Sequence, residues 1–362
     1  MLDRPIIRMP DFVAGDWLNT PRPITRQDLR GKVVLLDFWE FTCVNCIRTL
    51  PYIRAWHERY REKGLVVIGI HSPEFQFGRV RQQVAAEVEH LELAYPILLD
   101  NDHENWDRFA VKAWPTKIVI DPEGYVRFRR RGEGHYRQIE EAIQTLLRRR
   151  DGTVLLPDPL PPLREEDAPG AVCYRPTSEL YAGYQGGGLF GGTLGNAEGY
   201  VSESPMVYSL PPAEERREGH FYLEGFWRAQ PESVVFAGQT GGRVVVPYEA
   251  ASVNAVLSPT SDQVELMLAL SPSEAEPVIE VCQDGRPLTP TSAGRDVEFD
   301  SQGRSFVRVD RARMVQLVDN PRFGQHQLEL NFQATGLALY AISFSGCLAD
   351  DAPGDHQTYR TG

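Results

Sequence analysis

Cysteine is scarce, five in 362 residues, and only two of the five stand close together. An odd number with one close pair does not make a disulfide framework. A four-cysteine zinc site lacks its second pair, because Cys173, Cys282 and Cys347 are scattered singly. Long apolar runs are missing too, and none approaches the roughly 18 residues that cross a bilayer. The start, Met1-Leu2-Asp3-Arg4-Pro5, has no apolar core of the secretory-signal kind. Read literally, the chain is soluble and cytoplasmic, with an extracytoplasmic place as the alternative. Positive charge is short in one part only. Residues 1–150 hold 24 basic and 21 acidic groups and the rest 14 and 29, within a net charge of −12. An acidic second part argues against nucleic acid and anionic membrane as partners. With 42% hydrophobic and 24% charged residues, wholesale disorder is excluded, and the length suits two domains.

What is present centres on the stretch from Val33 to Cys46. Val33-Val34-Leu35-Leu36-Asp37-Phe38-Trp39 reads as a buried strand, followed by Glu40-Phe41-Thr42 and the pair Cys43-Val44-Asn45-Cys46. A helix over about Asn45 to Lys63 follows, with Ile47, Leu50, Ile53, Trp56 and Tyr60 at helical spacing. A cysteine at a helix mouth faces unpaired N–H groups and the positive dipole end, which favour a thiolate. A second thiol one turn on can resolve a mixed disulfide. The pair therefore reads as a redox site rather than a zinc half-site or two structural thiols.

Further features extend the match, and together residues 1 to about 150 resemble a thioredoxin-fold domain. Asp37, six before Cys43, stands where thioredoxins place a buried carboxylate. Pro51, five after Cys46, matches the proline in their active-site helix. Trp114-Pro115-Thr116, ahead of the strand Lys117 to Asp121, matches their cis-proline loop. Thr42 stands in place of the usual tryptophan, and the inner pair is Val-Asn rather than Gly-Pro. The resemblance implies a mixed sheet flanked by helices and a thiol–disulfide oxidoreductase without cofactor. Cys43 would be the nucleophile, Cys46 the resolving thiol, Asp37 its proton partner and Pro115 a platform for the substrate backbone. Trp39, Thr42, Val44, Asn45, Trp114 and Thr116 would contact the substrate. The partners implied are a disulfide-containing protein and an electron donor. Peroxidase chemistry fails on pattern, since neither Glu40, three before Cys43, nor Cys43, three before Cys46, is the hydroxyl residue that Pro-x-x-x-[Ser/Thr]-x-x-Cys requires. His71 and Glu74, after the strand Leu65 to Ile70, read as solvated loop, with a place beside the dithiol as the alternative.

Prolines at 157, 159, 161, 162 and 169 mark residues 153–170 as a stiff linker. Beyond it, 171–350 reads as about ten short strands, among them Arg243 to Val246, Ser252 to Leu257, Val264 to Leu268, Met314 to Val318 and Gln327 to Phe332, with Asp284-Gly285 as a hairpin turn. An all-β jelly-roll sandwich is expected there, and a flexible tail over 351–362. The order of the two units resembles the soluble C-terminal half of DipZ-type proteins, whose second domain is similar to carbohydrate-binding modules. The matching stretch is Gly191 to Tyr200, with Trp227 and Leu328-Glu-Leu later. A sugar platform of Tyr181, Tyr184, Phe190, Tyr200, Tyr222 and Trp227 competes with the reading of these rings as core. The alternative to the oxidoreductase as a whole is a protein whose second unit binds a glycan or partner and whose dithiol only senses redox state. Cys173, Cys282 and Cys347 read as buried thiols, with a Cys282–Cys347 bond as one option.

Overall fold

The computed structural model describes residues 7–186, 193–202, 204–239, 241–259 and 276–348. It divides into two compact units, residues 1–163 and 164–362. The tail 351–362, the strand expected over Val264 to Leu268, and Phe190 lie outside the described residues.

The first unit contains β1 (Trp17–Leu18), β2 (Val33–Trp39), α1 (Val44–Tyr60), β3 (Leu65–His71), α2 (Arg81–His90), β4 (Ile97–Leu99), α3 (Glu104–Arg108), β5 (Thr116–Ile120), β6 (Val126–Arg131) and α4 (Tyr136–Arg150). Its sheet runs β1-β4-β3-β2-β5-β6. The centre β4-β3-β2 is parallel, and β1, β5 and β6 join antiparallel. This is the expected mixed sheet, covered on both faces as parallel strands require. Alternation along β2 sorts the two cores. Val33, Leu35 and Trp39 lie with Ile53, Trp56 and Tyr60 of α1 and Ile139, Ile143 and Leu147 of α4. Val34, Leu36 and Phe38 lie with Ile68, Ile70, Phe109, Ile118 and Ile120 on the opposite face. Asp37 falls by the same period on the α1 side, so a carboxyl is forced beneath the helix that carries the cysteines.

Part of the proline-rich stretch is bound into this unit. Leu156 and Leu160 pack on the α1–α4 core. The Leu160 N–H donates to Glu140 Oε2 (2.7 Å), and the Leu163 N–H to the Tyr52 hydroxyl (2.8 Å).

Among the described residues the second unit is built of strands apart from two short 3-10 turns, around a main core that includes Phe221, Trp227, Phe236, Val244, Leu330 and Phe332. Two strands are far longer than the sequence suggested: Gly242–Pro259 and Arg313–Phe332, 18 and 20 residues, pair antiparallel along most of their length. Pro247 and the Asn320-Pro321 region look like breaks in sequence. Pro247 instead stays in register opposite Gln327, and the pairing steps from Ala250–Gly324 to Ser252–Asp319 through a bulge. The hairpin at Asp284-Gly285 joins Val278–Gln283 to Arg286–Pro287, and both turn residues have positive φ (54° and 74°), as a two-residue primed turn demands. The sugar platform does not form as drawn: Trp227 and Tyr222 are fully inside. The cysteine reading is also corrected. Cys173 pairs with Cys347 across two short antiparallel strands, Val172–Cys173 and Cys347–Leu348, closing a span of 174 residues, whereas Cys282 is a free thiol.

Candidate active site

β2 ends at Trp39, and Glu40-Phe41-Thr42 turn the chain into α1, whose N-cap is Cys43 itself. The Cys43 sulfur accepts the Cys46 N–H at 3.2 Å, so one of the helix's unpaired donors is aimed at the nucleophile. Cys43 is half-exposed and Cys46 buried, and both are free thiols. That asymmetry sets their order of action: only Cys43 can be reached from outside, and only Cys46 waits behind it. Burial pushes the Cys43 thiol above its ordinary value, the hydrogen bond from Cys46 opposes this, and the carboxylates of Glu74 and Glu40 add to the rise. Cys46 is pushed much higher, first by burial and then by Cys43 and Asp37.

Asp37 is 1% exposed, and its Oδ1 has no hydrogen-bond partner. Burial lifts its carboxyl from 3.8 to about 6, against the pull of Lys117. Lys117 is the functional-looking residue that sequence reasoning passed over. The β2–β5 register sets it directly opposite Asp37, and burial depresses its ammonium while Asp37 and Cys46 support it. Its Nζ donates to Thr49 Oγ1 of α1 (3.2 Å) and to the Gly132 carbonyl (3.1 Å), so the cation is wholly inside and tied to the active-site helix. Alternation back from Val119 would have placed it on this face. Its partner needed the register.

The Trp114–Pro115 peptide bond is cis, Pro115 is buried, and its carbonyl accepts the Gly132 N–H at 2.7 Å. Trp114 is half-buried, packs against Trp106 at 4.5 Å and donates its indole N–H to the Ser72 carbonyl at 3.0 Å. Of the residues expected to touch substrate, Val44 and Asn45, which follow Cys43 in the chain, and Trp114 are half-buried. Trp39, Thr42 and Thr116 are buried, because they belong to the strand ends and the cap that hold the site up. His71 is likewise fully buried as the last residue of β3, so the solvated-loop reading fails for it, whereas Glu74 is half-buried on the loop that follows; Ser72 between them is buried and tied to Asp100 at 3.1 Å.

Residues 7–129 match the AhpC/TSA family, and residues 177–345 match a thioredoxin-like C-terminal domain. DipZ of Mycobacterium bovis is 32% identical over 281 residues, 75% of this chain and 36% of that protein. Human NHL repeat-containing protein 2 is 38% identical over 132 residues, 36% of this chain and 18% of that protein. The thiol-disulfide oxidoreductase ResA of Bacillus cereus is 29% identical over 137 residues, 38% of this chain and 75% of that protein. The chain thus spans about a third of the length of DipZ. The DipZ match is longer than the whole first unit, and each unit carries its own family match. The chain is a two-domain thioredoxin-like protein, homologous to DipZ.

Proposed function

We propose that this chain is a thiol–disulfide oxidoreductase that reduces protein disulfides through Cys43 and Cys46. One observation carries the reading: a half-exposed cysteine caps the helix, a buried cysteine lies one turn behind it, and a buried carboxyl held at about 6 lies on the face beneath that helix. The Cys43 thiolate attacks one sulfur of the substrate disulfide, forming a mixed disulfide and expelling the other sulfur as a thiolate. Cys46 then gives its proton towards ionised Asp37, attacks Cys43 Sγ and releases the second substrate thiol. Two electrons have passed to the substrate, and the chain is left with a Cys43–Cys46 disulfide for a dithiol donor to reduce. Lys117 keeps Asp37 ionisable at neutral pH, and the Trp114–Pro115 loop offers backbone to the substrate strand.

The reducing direction is supported by the state of Cys43. Strong oxidants of this type owe their potential to a stabilised thiolate, whereas burial, Glu74 and Glu40 work against the thiolate here. An extracytoplasmic setting is supported by the Cys173–Cys347 bond, since structural disulfides persist in oxidising compartments. No helix among the described residues is long and apolar enough to cross a membrane. The second unit serves in this reading to dock or present the substrate. The test is reduction of insulin disulfides by the full chain, together with the potential of the pair from a glutathione titration. Turnover with a potential near that of thioredoxin, about −270 mV, is expected. A value near that of DsbA, about −120 mV, would overturn the direction, and a pair that never cycles would overturn the function.

A further inference from the structure

Asp37 and Lys117 serve Cys46, but a second buried polar group beside Cys43 has no part in the mechanism so far. Glu40, just after β2, and His71, at the end of β3, are both fully buried. One carboxylate oxygen of Glu40, Oε2, accepts the Thr42 N–H at 2.5 Å and also the Thr42 hydroxyl, which holds the turn immediately before Cys43. The other, Oε1, has no hydrogen-bond partner and stands 3.7 Å from His71 Nε2. Neither ring nitrogen of His71 has a hydrogen-bond partner. The imidazole is stacked on Phe41 at 5.5 Å and edge-on to Trp39 at 5.3 Å. A phenyl ring would fill that slot without burying unpaired nitrogens, so packing does not explain the histidine. A buried carboxylate oxygen with no donor is costly unless a proton or a positive charge meets it. The nitrogen facing it can bring either.

We propose that Glu40 and His71 form a buried acid–base pair that holds the Thr42–Cys43 turn and sets how readily the Cys43 thiol gives up its proton. The inference rests on the oxidoreductase reading above. A proton held between Oε1 and Nε2 draws off the negative charge of Glu40, and the Cys43 thiolate then forms more easily. Without the imidazole the carboxylate stands in full opposition to it. The other titratable groups around the pair are Glu74 on the loop after β3, Cys43 and Cys46 on α1, and Asp37 and Lys117 on β2 and β5. Asp100 and His103 are occupied elsewhere, Asp100 by Ser72, Asn105 and Trp106, and His103 by the Pro73 carbonyl.

The experiment follows alkylation of Cys43 by iodoacetamide against pH in the reduced full chain, read by mass spectrometry of the Cys43 peptide. The variants are Glu40→Gln, His71→Phe, their double, Glu74→Gln, and Glu74→Gln combined with His71→Phe. Glu40→Gln keeps the bonds to Thr42 but removes the charge, and the midpoint falls by about one pH unit. His71→Phe keeps the ring stack but removes the proton site, and the midpoint rises. The double variant matches Glu40→Gln, because an imidazole has nothing to offset once the carboxylate is gone. Glu74→Gln lowers the midpoint equally with or without His71. A positioning role limited to packing would move both single variants the same way, which would overturn the proposal, as would additive effects or no change on His71→Phe. Should His71→Phe fail to fold, His71→Asn gives the same cycle. Alkylation needs no turnover, so the two readings fail separately. Shifted midpoints in a chain that reduces nothing would sink the oxidoreductase reading alone, and fixed midpoints in an active chain would sink the pair alone.

Discussion

Replacing Asp37 by Asn should make the first unit more stable at neutral pH, and the gain should vanish in acid. The carboxyl titrates at 3.8 when exposed and at about 6 in the fold, raised by burial. Between those values the folded chain binds more protons than the unfolded one, so stability falls as pH rises through this window. The full cost of ionising Asp37 inside is about 3 kcal/mol at pH 7, of which about 2 kcal/mol accrues between pH 4.5 and pH 7. Asn carries no such cost, and the pull of Lys117 on the carboxylate is already contained in the value of about 6, so losing it adds no separate term. Denaturant unfolding at several pH values would read the difference. Tryptophan emission suits the purpose, because five of the six tryptophans lie in the first unit. The expected result is a gap between variant and wild type that widens by about 2 kcal/mol from pH 4.5 to pH 7. A gap independent of pH would refute the argument, since it would mean that Asp37 is not the group titrating in this window. The same variant should reduce disulfides more slowly, through the step in which Cys46 attacks.

Cys46→Ser should trap substrate on Cys43 as a mixed disulfide that dithiothreitol releases on a non-reducing gel, whereas Cys43→Ser should trap nothing. Lys117→Met removes the charge that holds Asp37 down, so the acid limb of the pH–rate profile for disulfide reduction should move up by about one pH unit; an unmoved limb would detach Lys117 from the proton path. Opening the Cys173–Cys347 bond, by reduction or by the double alanine variant, should destabilise the second unit by up to about 5 kcal/mol for a span of 174 residues. Trp227 emission reports that unit, and unchanged unfolding on reduction would show the bond to be structurally idle.

The fold of the first unit and its two cysteines were legible because their signals are local. An unbroken apolar run, a helical stripe and a pair of thiols three residues apart can be read without knowing where any other strand lies. The second unit was legible as β but not in its strand lengths. A proline or glycine looks the same in sequence whether it ends a strand or, as at Pro247, sits in register within one. Cys173 and Cys347 meet through two strands of two residues each, far too short to leave a periodic trace.

The residues missed at the site share one cause. Lys117 was read as a strand residue in an apolar run, Glu40 only as the wrong residue for a peroxidase, and His71 as part of a solvated loop. Each is a charged or titratable group in an otherwise apolar setting, and each gains its meaning from a partner elsewhere in the chain: Asp37 for Lys117, and Glu40 and His71 for one another. A buried ionisable group is costly without a partner. Such a residue within a strand that must be inside is therefore itself a statement that a partner exists. Period-2 alternation already says which face it occupies, and register supplies only the name. Had that inference been drawn from Lys117 alone, the one anion on the α1 face of the apolar run before the cysteines would have been the first candidate. That residue is Asp37.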